Sequence, residues 1–250
     1  LVGQFTYSKP DNSGIKVPST VKQIHGFSKA NEGNAKITIT NFKYNVITAK
    51  GGLWYETTPT TPDYNIRDLE VDCTGNFGNG FSHCTNLTNC TGTGTGFFCG
   101  YGFTYCTNLT NCTGTGTGTG TGADGYGFYS CDNLSNCTGT GTGTGTGADG
   151  YGFYACKNLS NCTGTGTGSE DGYGFYHCAN LTNGTGTGTG TEGYGFRYGT
   201  NLTDCIGTGT GTEVGYGFAD CTSLTNCIGS GKGTGTGSVG YGFYEINYAF

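Results

Sequence analysis

The chain has 250 residues, 52 of them glycine, with 33% apolar residues and a formal net charge of −6. Glycine at this level beside four prolines excludes collagen, and 18 tyrosines with 15 phenylalanines exclude simple disorder. A thick aliphatic core along the whole length is excluded as well, which leaves stacked repeats stapled by cysteines as the evident way to fold.

Charge is divided unevenly. Residues 1–72 hold eight of the 11 basic and seven of the 17 acidic residues, so the acidic excess lies in residues 73–250. An acidic repeat region does not suit a phosphate backbone, and no nucleic-acid partner is expected. No apolar run reaches transmembrane length, and none reads as a signal peptide. The chain starts at Leu1 and contains no methionine, as expected of a chain cleaved from a precursor or of an internal fragment. Cleavage together with 14 cysteines points to export into an oxidising compartment, and so to an extracellular or a cell- or virion-surface location.

Residues 1–72 are non-repetitive and β-leaning, and read as a small N-terminal β-domain or cap with a candidate role in assembly. Lys36–Phe42 alternates as a half-buried strand does, and Tyr44–Ala49 and Leu53–Thr57 are β-rich. Ser8–Gly14 and Thr57–Asp63 are turn-rich breakers, and the single tryptophan, Trp54, reads as a core anchor.

Residues 73–250 are a repeat region of about seven coils. Tyr101, Tyr126, Tyr151, Tyr173, Tyr194, Tyr216 and Tyr241 each begin a Tyr-Gly-Phe, at intervals of 25, 25, 22, 21, 22 and 25 residues. Such intervals are the size of one solenoid coil. In a typical coil Phe153, Cys156, Leu159 and Cys162 fall every three residues and are predicted to point inward around a tightly turning backbone. This pattern resembles the BspA-like leucine-rich repeats of bacterial surface antigens, with their Ala-Phe-x-x-Cys-x-x-Leu-x-x-Ile signature. Thr212–Phe218 is similar to the turn that precedes that family's Phe. The resemblance covers residues 73–250, implies a solenoid, and departs where glycine replaces the inward aliphatics of the following strand. The predicted fold is all-β or β-rich, a disulfide-stapled solenoid of 21–25-residue coils.

The Gly-Thr tracts have strict period two. In a strand, Gly139, Gly141 and Gly143 share the inward parity of Cys137, while Thr138, Thr140 and Thr142 face out, as do Thr163, Thr165 and Thr167. Strand glycine usually marks a close backbone approach, so the inner face is expected to lie against another backbone in a thin solenoid. The longer coils must bulge near Ala123-Asp124 and Ala148-Asp149.

Each coil carries a first cysteine after Tyr-Gly-Phe and a second six residues later, and both are missing around Gly184 and Gly199. Pairing the second cysteine of one coil with the first of the next explains both losses as one. It predicts Cys73–Cys84, Cys90–Cys106, Cys112–Cys131, Cys137–Cys156, Cys162–Cys178 and Cys205–Cys221, each worth about 3 kcal/mol by loop closure. The competing reading is a ladder of reduced, buried thiols. A metal site is not expected, since there is no CxxC and His25, His83 and His177 do not cluster.

Sequons occur at Asn86, Asn89, Asn108, Asn111, Asn133, Asn136, Asn158, Asn161, Asn180, Asn183 and Asn201. They are candidate glycan sites or a duplicated turn template. Asp124, Asp149, Asp171, Glu192 and Glu213 mark one coil corner, a candidate Ca²⁺ position read in preference as a solvated turn. The Tyr-Gly-Phe rings are expected to stack, with Tyr129, Tyr154 and Tyr176 as candidate exposed sugar-binding rings. No catalytic grouping and no cofactor site is evident. The favoured reading is a non-enzymatic exported surface or filament protein, a structural or adhesive scaffold that self-associates, since the last coil carries no polar cap. A receptor-binding virion or cell-surface fibre, and an ice-binding protein using the threonine array, are the two alternatives.

Overall fold

A computed structural model describes residues 67–247 in full. Before them it describes the backbone of the strands Phe5–Ser8, Ile15–Val17, Gln23–His25, Ala35–Phe42, Leu53–Tyr55 and Asn65–Arg67. The expected strand at Lys36–Phe42 lies within Ala35–Phe42, and Leu53–Thr57 opens with Leu53–Tyr55. Tyr44–Ala49, the side chain of Trp54 and the breakers after Ser8 and over Thr57–Asp63 lie outside the described residues.

Residues 67–247 are all-β, 72% strand, and wind into a β-solenoid of about eight coils. One coil shows the plan. Asp124–Tyr129 forms a Tyr-Gly-Phe wall, Asp132–Ser135 an Asn-Leu-Ser/Thr wall, and Thr138–Gly143 a Thr-Gly wall. Each strand pairs in parallel with its counterpart one coil away: Tyr126 with Tyr101 and Tyr151, Leu134 with Leu109 and Leu159, Thr140 with Thr115 and Thr165. Parallel pairing also runs upstream of residue 72. Ala35–Phe42 pairs with Leu69–Ser82, Leu53–Tyr55 with the same strand, and Asn65–Arg67 with Leu87–Thr88.

The corners explain the three-residue rhythm. Ser130, Asn133 and Asn136 all have positive φ (50°, 59° and 53°), and each is followed by a buried residue: Cys131, Leu134 and Cys137. A left-handed residue reverses the local direction of the chain, so every third side chain is thrown inward. Asparagine tolerates this conformation better than most residues, which accounts for its recurrence at the second and third corner positions.

What falls inward is a set of single-residue columns. The rings of Phe81, Phe103, Phe128, Phe153, Phe175, Phe196 and Phe218 are fully buried, stacked with centroids 4.7–5.0 Å apart. Leu87, Leu109, Leu134, Leu159, Leu181 and Leu202 form a second column. The cysteines flank it. Cys84, Cys106, Cys131, Cys156 and Cys178 follow one another along one side, thiol to thiol, and Cys90, Cys112, Cys137 and Cys162 along the other.

None of the fourteen cysteines is in a disulfide, which corrects the predicted bridges. Neither Cys90–Cys106, Cys112–Cys131, Cys137–Cys156, Cys162–Cys178 nor Cys205–Cys221 forms, because each would join opposite columns. The leucine column stands between the two, with Leu134 buried between Cys131 and Cys137, so thiols of opposite columns do not meet. Cys73 lies in neither column; it occupies an inward position of Leu69–Ser82 opposite Gly94, so Cys73–Cys84 does not form either. The thiols instead donate to the carbonyl two residues back, as Cys131 Sγ does to Tyr129 O at 3.4 Å and Cys137 Sγ to Ser135 O at 3.4 Å. The two missing cysteines are separate losses, one from each column. A Cβ on Gly184 would meet Leu181 Cδ2 at 2.2 Å and one on Gly199 would meet Leu202 Cδ1 at 2.8 Å, so a leucine leans into each vacated place.

The glycine face behaves as its parity implies. A Cβ on Gly141 would meet Tyr151 O at 2.1 Å, Gly125 O at 2.3 Å and Tyr151 N at 2.4 Å. The Thr-Gly wall and the Tyr-Gly-Phe wall therefore touch backbone to backbone, with room for hydrogen and nothing larger. The solenoid is thin there, and it fills out only around the Phe, Leu and Cys columns.

Candidate functional surface

Four repeated outer features result from this winding, and three of them spend their polar groups on the fold itself. The asparagines form amide ladders. Asn133 Nδ2 donates to Asn108 Oδ1 at 3.1 Å, Asn158 to Asn133 at 3.0 Å, Asn180 to Asn158 at 3.0 Å and Asn201 to Asn180 at 3.0 Å. Asn111 donates to Asn89 and Asn183 to Asn161 along the next column. The sequons at Asn86, Asn108, Asn133, Asn158, Asn180 and Asn201 thus mark one column with left-handed backbones. A rung spacing of about 4.8 Å leaves no room for glycans on successive members.

The acidic corner is a second ladder. Tyr126 Oη donates to Asp124 Oδ2 (2.9 Å), Tyr151 to Asp149 (2.8 Å) and Tyr173 to Asp171 (2.8 Å), and Tyr194 bonds Glu192. The other carboxylate oxygen accepts the backbone N–H of the next coil's acid, from Asp149 to Asp124 and from Asp171 to Asp149, both at 2.9 Å. Partial burial pushes Asp149 up to about 6 and raises Asp171. The corner is therefore a hydrogen-bonded, half-buried column rather than a freely solvated turn. Two details differ from the sequence reading. Glu213 is not in the column, where Val214 pairs with Glu192, and Cys99 begins it, paired with Asp124. Among the described residues no group of histidine, cysteine, aspartate or glutamate is placed to hold a metal ion.

The aromatic wall is the third feature. Tyr101, Tyr126, Tyr151, Tyr173, Tyr194 and Tyr216 stack at 4.8–5.0 Å, as expected. Tyr129, Tyr154 and Tyr176 stack in a parallel row and meet the first row edge-on, as in Tyr126–Tyr129 at 5.3 Å. They are half-buried rather than standing free. Where the row ends, Arg197 lies over the Tyr194 and Tyr198 rings at 4.5 and 5.0 Å and faces Asp220 at 3.6 Å.

The threonine face is the fourth, and among the described residues its hydroxyls from Thr113 to Thr189 make no hydrogen bond to the protein. Thr91, Thr113, Thr138, Thr163 and Thr185 are register partners in one column. Thr93, Thr115, Thr140, Thr165 and Thr187 make the second, and Thr95, Thr117, Thr142, Thr167 and Thr189 the third. The grid is bordered by Glu70 and Asp72 on one side; on the other the first column continues as Ile206, and one coil further stand Ile228, Ser230 and Lys232. The bulges expected in the longer coils do occur, at residues 119–123 and 144–148, turning through Gly122 (φ 64°) and Gly147 (φ 70°). They lie beyond the third column, so coils of different length keep one threonine register.

No protein-family model matches the chain, and no curated protein matches it. Among solved structures, "Geobacillus virus E2 - ORF18" is similar at 12% identity and a TM-score of 0.20 over 99% of this chain. The chain spans about half (52%) of that protein's length. A similarity of that size carries no argument about fold or function.

Proposed function

We propose that this chain is a non-enzymatic surface scaffold acting outside the cell, a stiff solenoid that presents one outer face many times over and associates with copies of itself. The observation that carries the reading is the identity of successive rungs. Catalysis needs different groups converging on one point, whereas here like residues line up in columns and their acids, amides and phenols bond along the stack. Stiffness follows from continuous parallel pairing and from the backbone seam between two walls, which has no side chains to rearrange. The absence of bridges removes the disulfide argument for an oxidising compartment. Negative-stain electron microscopy with sedimentation over a hundredfold concentration range tests the reading. Rod-shaped particles that lengthen or pair with concentration are expected; compact, irregular particles would refute the scaffold, and a constant monomer would refute the self-association.

A further inference from the structure

We infer that the threonine grid of the Thr-Gly wall binds crystalline water, so that the face presented by the proposed scaffold is an ice-binding surface. The inference rests on the scaffold reading only in needing the solenoid to be rigid. Four observations carry it.

The first is the lattice. Fifteen threonines in three columns and five coils hold one register from Thr91 to Thr189. Strand geometry then sets the hydroxyls about 6.7 Å apart along each strand and about 4.8 Å apart between strands. Both distances lie close to oxygen repeats on the faces of hexagonal ice. The looped-out residues at 119–123 and 144–148 keep coil-length variation out of the grid, so the lattice is not broken where the sequence is irregular.

The second is availability. Among the described residues, none of the grid hydroxyls from Thr113 to Thr189 hydrogen-bonds to the protein, unlike Thr119 and Thr144 in the loops, which bond Gly96 O at 3.2 Å and Gly118 O at 3.0 Å. The third is charge. The grid holds no ionisable side chain, and Glu70, Asp72 and Lys232 stand only at its borders. A strongly hydrated ion would impose its own water structure, whereas a hydroxyl beside a methyl group can hold water in the neighbours' lattice. The fourth is stiffness. Each threonine alternates with a glycine clamped against the second wall, as Gly116, Gly141 and Gly166 are, within about 2.1 Å of a carbonyl oxygen for an added Cβ. β-branched threonine is itself restricted at χ1. Little entropy remains to be lost when the face meets a solid.

The occupant is ice rather than a second copy or a polysaccharide, because the grid itself is an uncharged two-dimensional hydroxyl lattice with no pocket for a sugar ring, and the exposed apolar side chains Phe97, Phe98, Ile206 and Ile228 stand only at its borders. The test is nanolitre osmometry and ice-recrystallisation inhibition on the full chain. The wild type is expected to open a gap between melting and freezing and to shape growing crystals. Thr140→Lys, at the grid centre, is expected to lose most of that activity, several-fold or more. Thr182→Lys, on the Asn-Leu-Thr wall, is expected to keep it, with circular dichroism confirming that both variants fold. Should Thr140→Lys fail to fold, Thr140→Val and Thr165→Val together give the same reading with less disturbance. A folded, rod-shaped chain with no freezing gap and no recrystallisation inhibition would overturn the inference while leaving the scaffold intact. So would a dimer abolished by Thr140→Lys, or retention on insoluble cellulose or chitin without ice activity.

Discussion

At the scale of single residues, the solenoid depends on side chains that accept an unfavourable backbone. Asn158 has φ 56°, donates to Asn133 and accepts from Asn180. Alanine there loses both amide bonds and is less tolerant of the left-handed region, so Asn158→Ala is expected to cost about 1–3 kcal/mol in chemical denaturation. Asp149 gives a pH signature. Burial holds its carboxyl up at about 6, against an ordinary 3.8, and Asp171 is raised in the same direction. A pKa higher in the folded than in the unfolded chain means that the native state binds the proton more tightly. The resulting stabilisation is full below the ordinary carboxylate range and is lost as pH rises through 6. Melting temperature should therefore be higher at pH 5 than at pH 7.5, and Asp149→Asn, whose amide still meets Tyr151 Oη and the Asp171 N–H, should flatten that difference. A steeper fall in the variant would contradict the assignment.

At the scale of the strand and its ladder, the glycine parity and the thiol columns each make a sharp claim. Gly141→Ala places a methyl group within 2.1–2.4 Å of three backbone atoms, where no rotamer change relieves it, and should destabilise by about 3 kcal/mol or more. Thr142→Ala, on the outward side of the same strand, should cost under about 1 kcal/mol; equal effects would mean that the tract has no inside. For the cysteines, denaturation without reductant followed by iodoacetamide should add fourteen labels, since none of the fourteen is in a disulfide. Dithiothreitol should leave the melting temperature unchanged. Burial pushes Cys205 and Cys221 up to about 12, so in the folded chain these thiols should react with iodoacetamide only after unfolding.

At the scale of the whole molecule, the sequence was most legible where its period was strict. The coil length, the inward set Phe153, Cys156, Leu159 and Cys162, the outward threonines and the bulges after the longer tracts all follow from counting residues. The ladders did not, because a ladder bond joins residues 21–25 apart that carry the same side chain. Asn133 and Asn158 look like copies of one turn in the sequence, and only stacking shows that each completes the other. The cysteine pairing failed for a related reason. The coincident gaps at Gly184 and Gly199 looked like one lost partner pair, whereas Leu181 and Leu202 each fill a separate vacancy. Glu213 was grouped with the corner acids by its charge, but the acids stand two residues before each Tyr-Gly-Phe, and that place before Tyr216 is Val214, which the register sets opposite Glu192. Upstream of residue 72 no repeat is legible, although parallel pairing continues through Ala35–Phe42.

The seam between the two glycine-bearing walls has a kinetic consequence. Amides at Gly116, Gly141 and Gly166 lie one residue below solvent, yet the atoms packed against these glycines are backbone alone, so no side chain can swing aside to admit water. Deuterium reaches such an amide only if two backbone layers part along several coils at once. These positions should therefore exchange at the rate of global unfolding, later than amides of the Asn-Leu-Thr wall, making the part of the protein with the least side-chain mass the slowest to open.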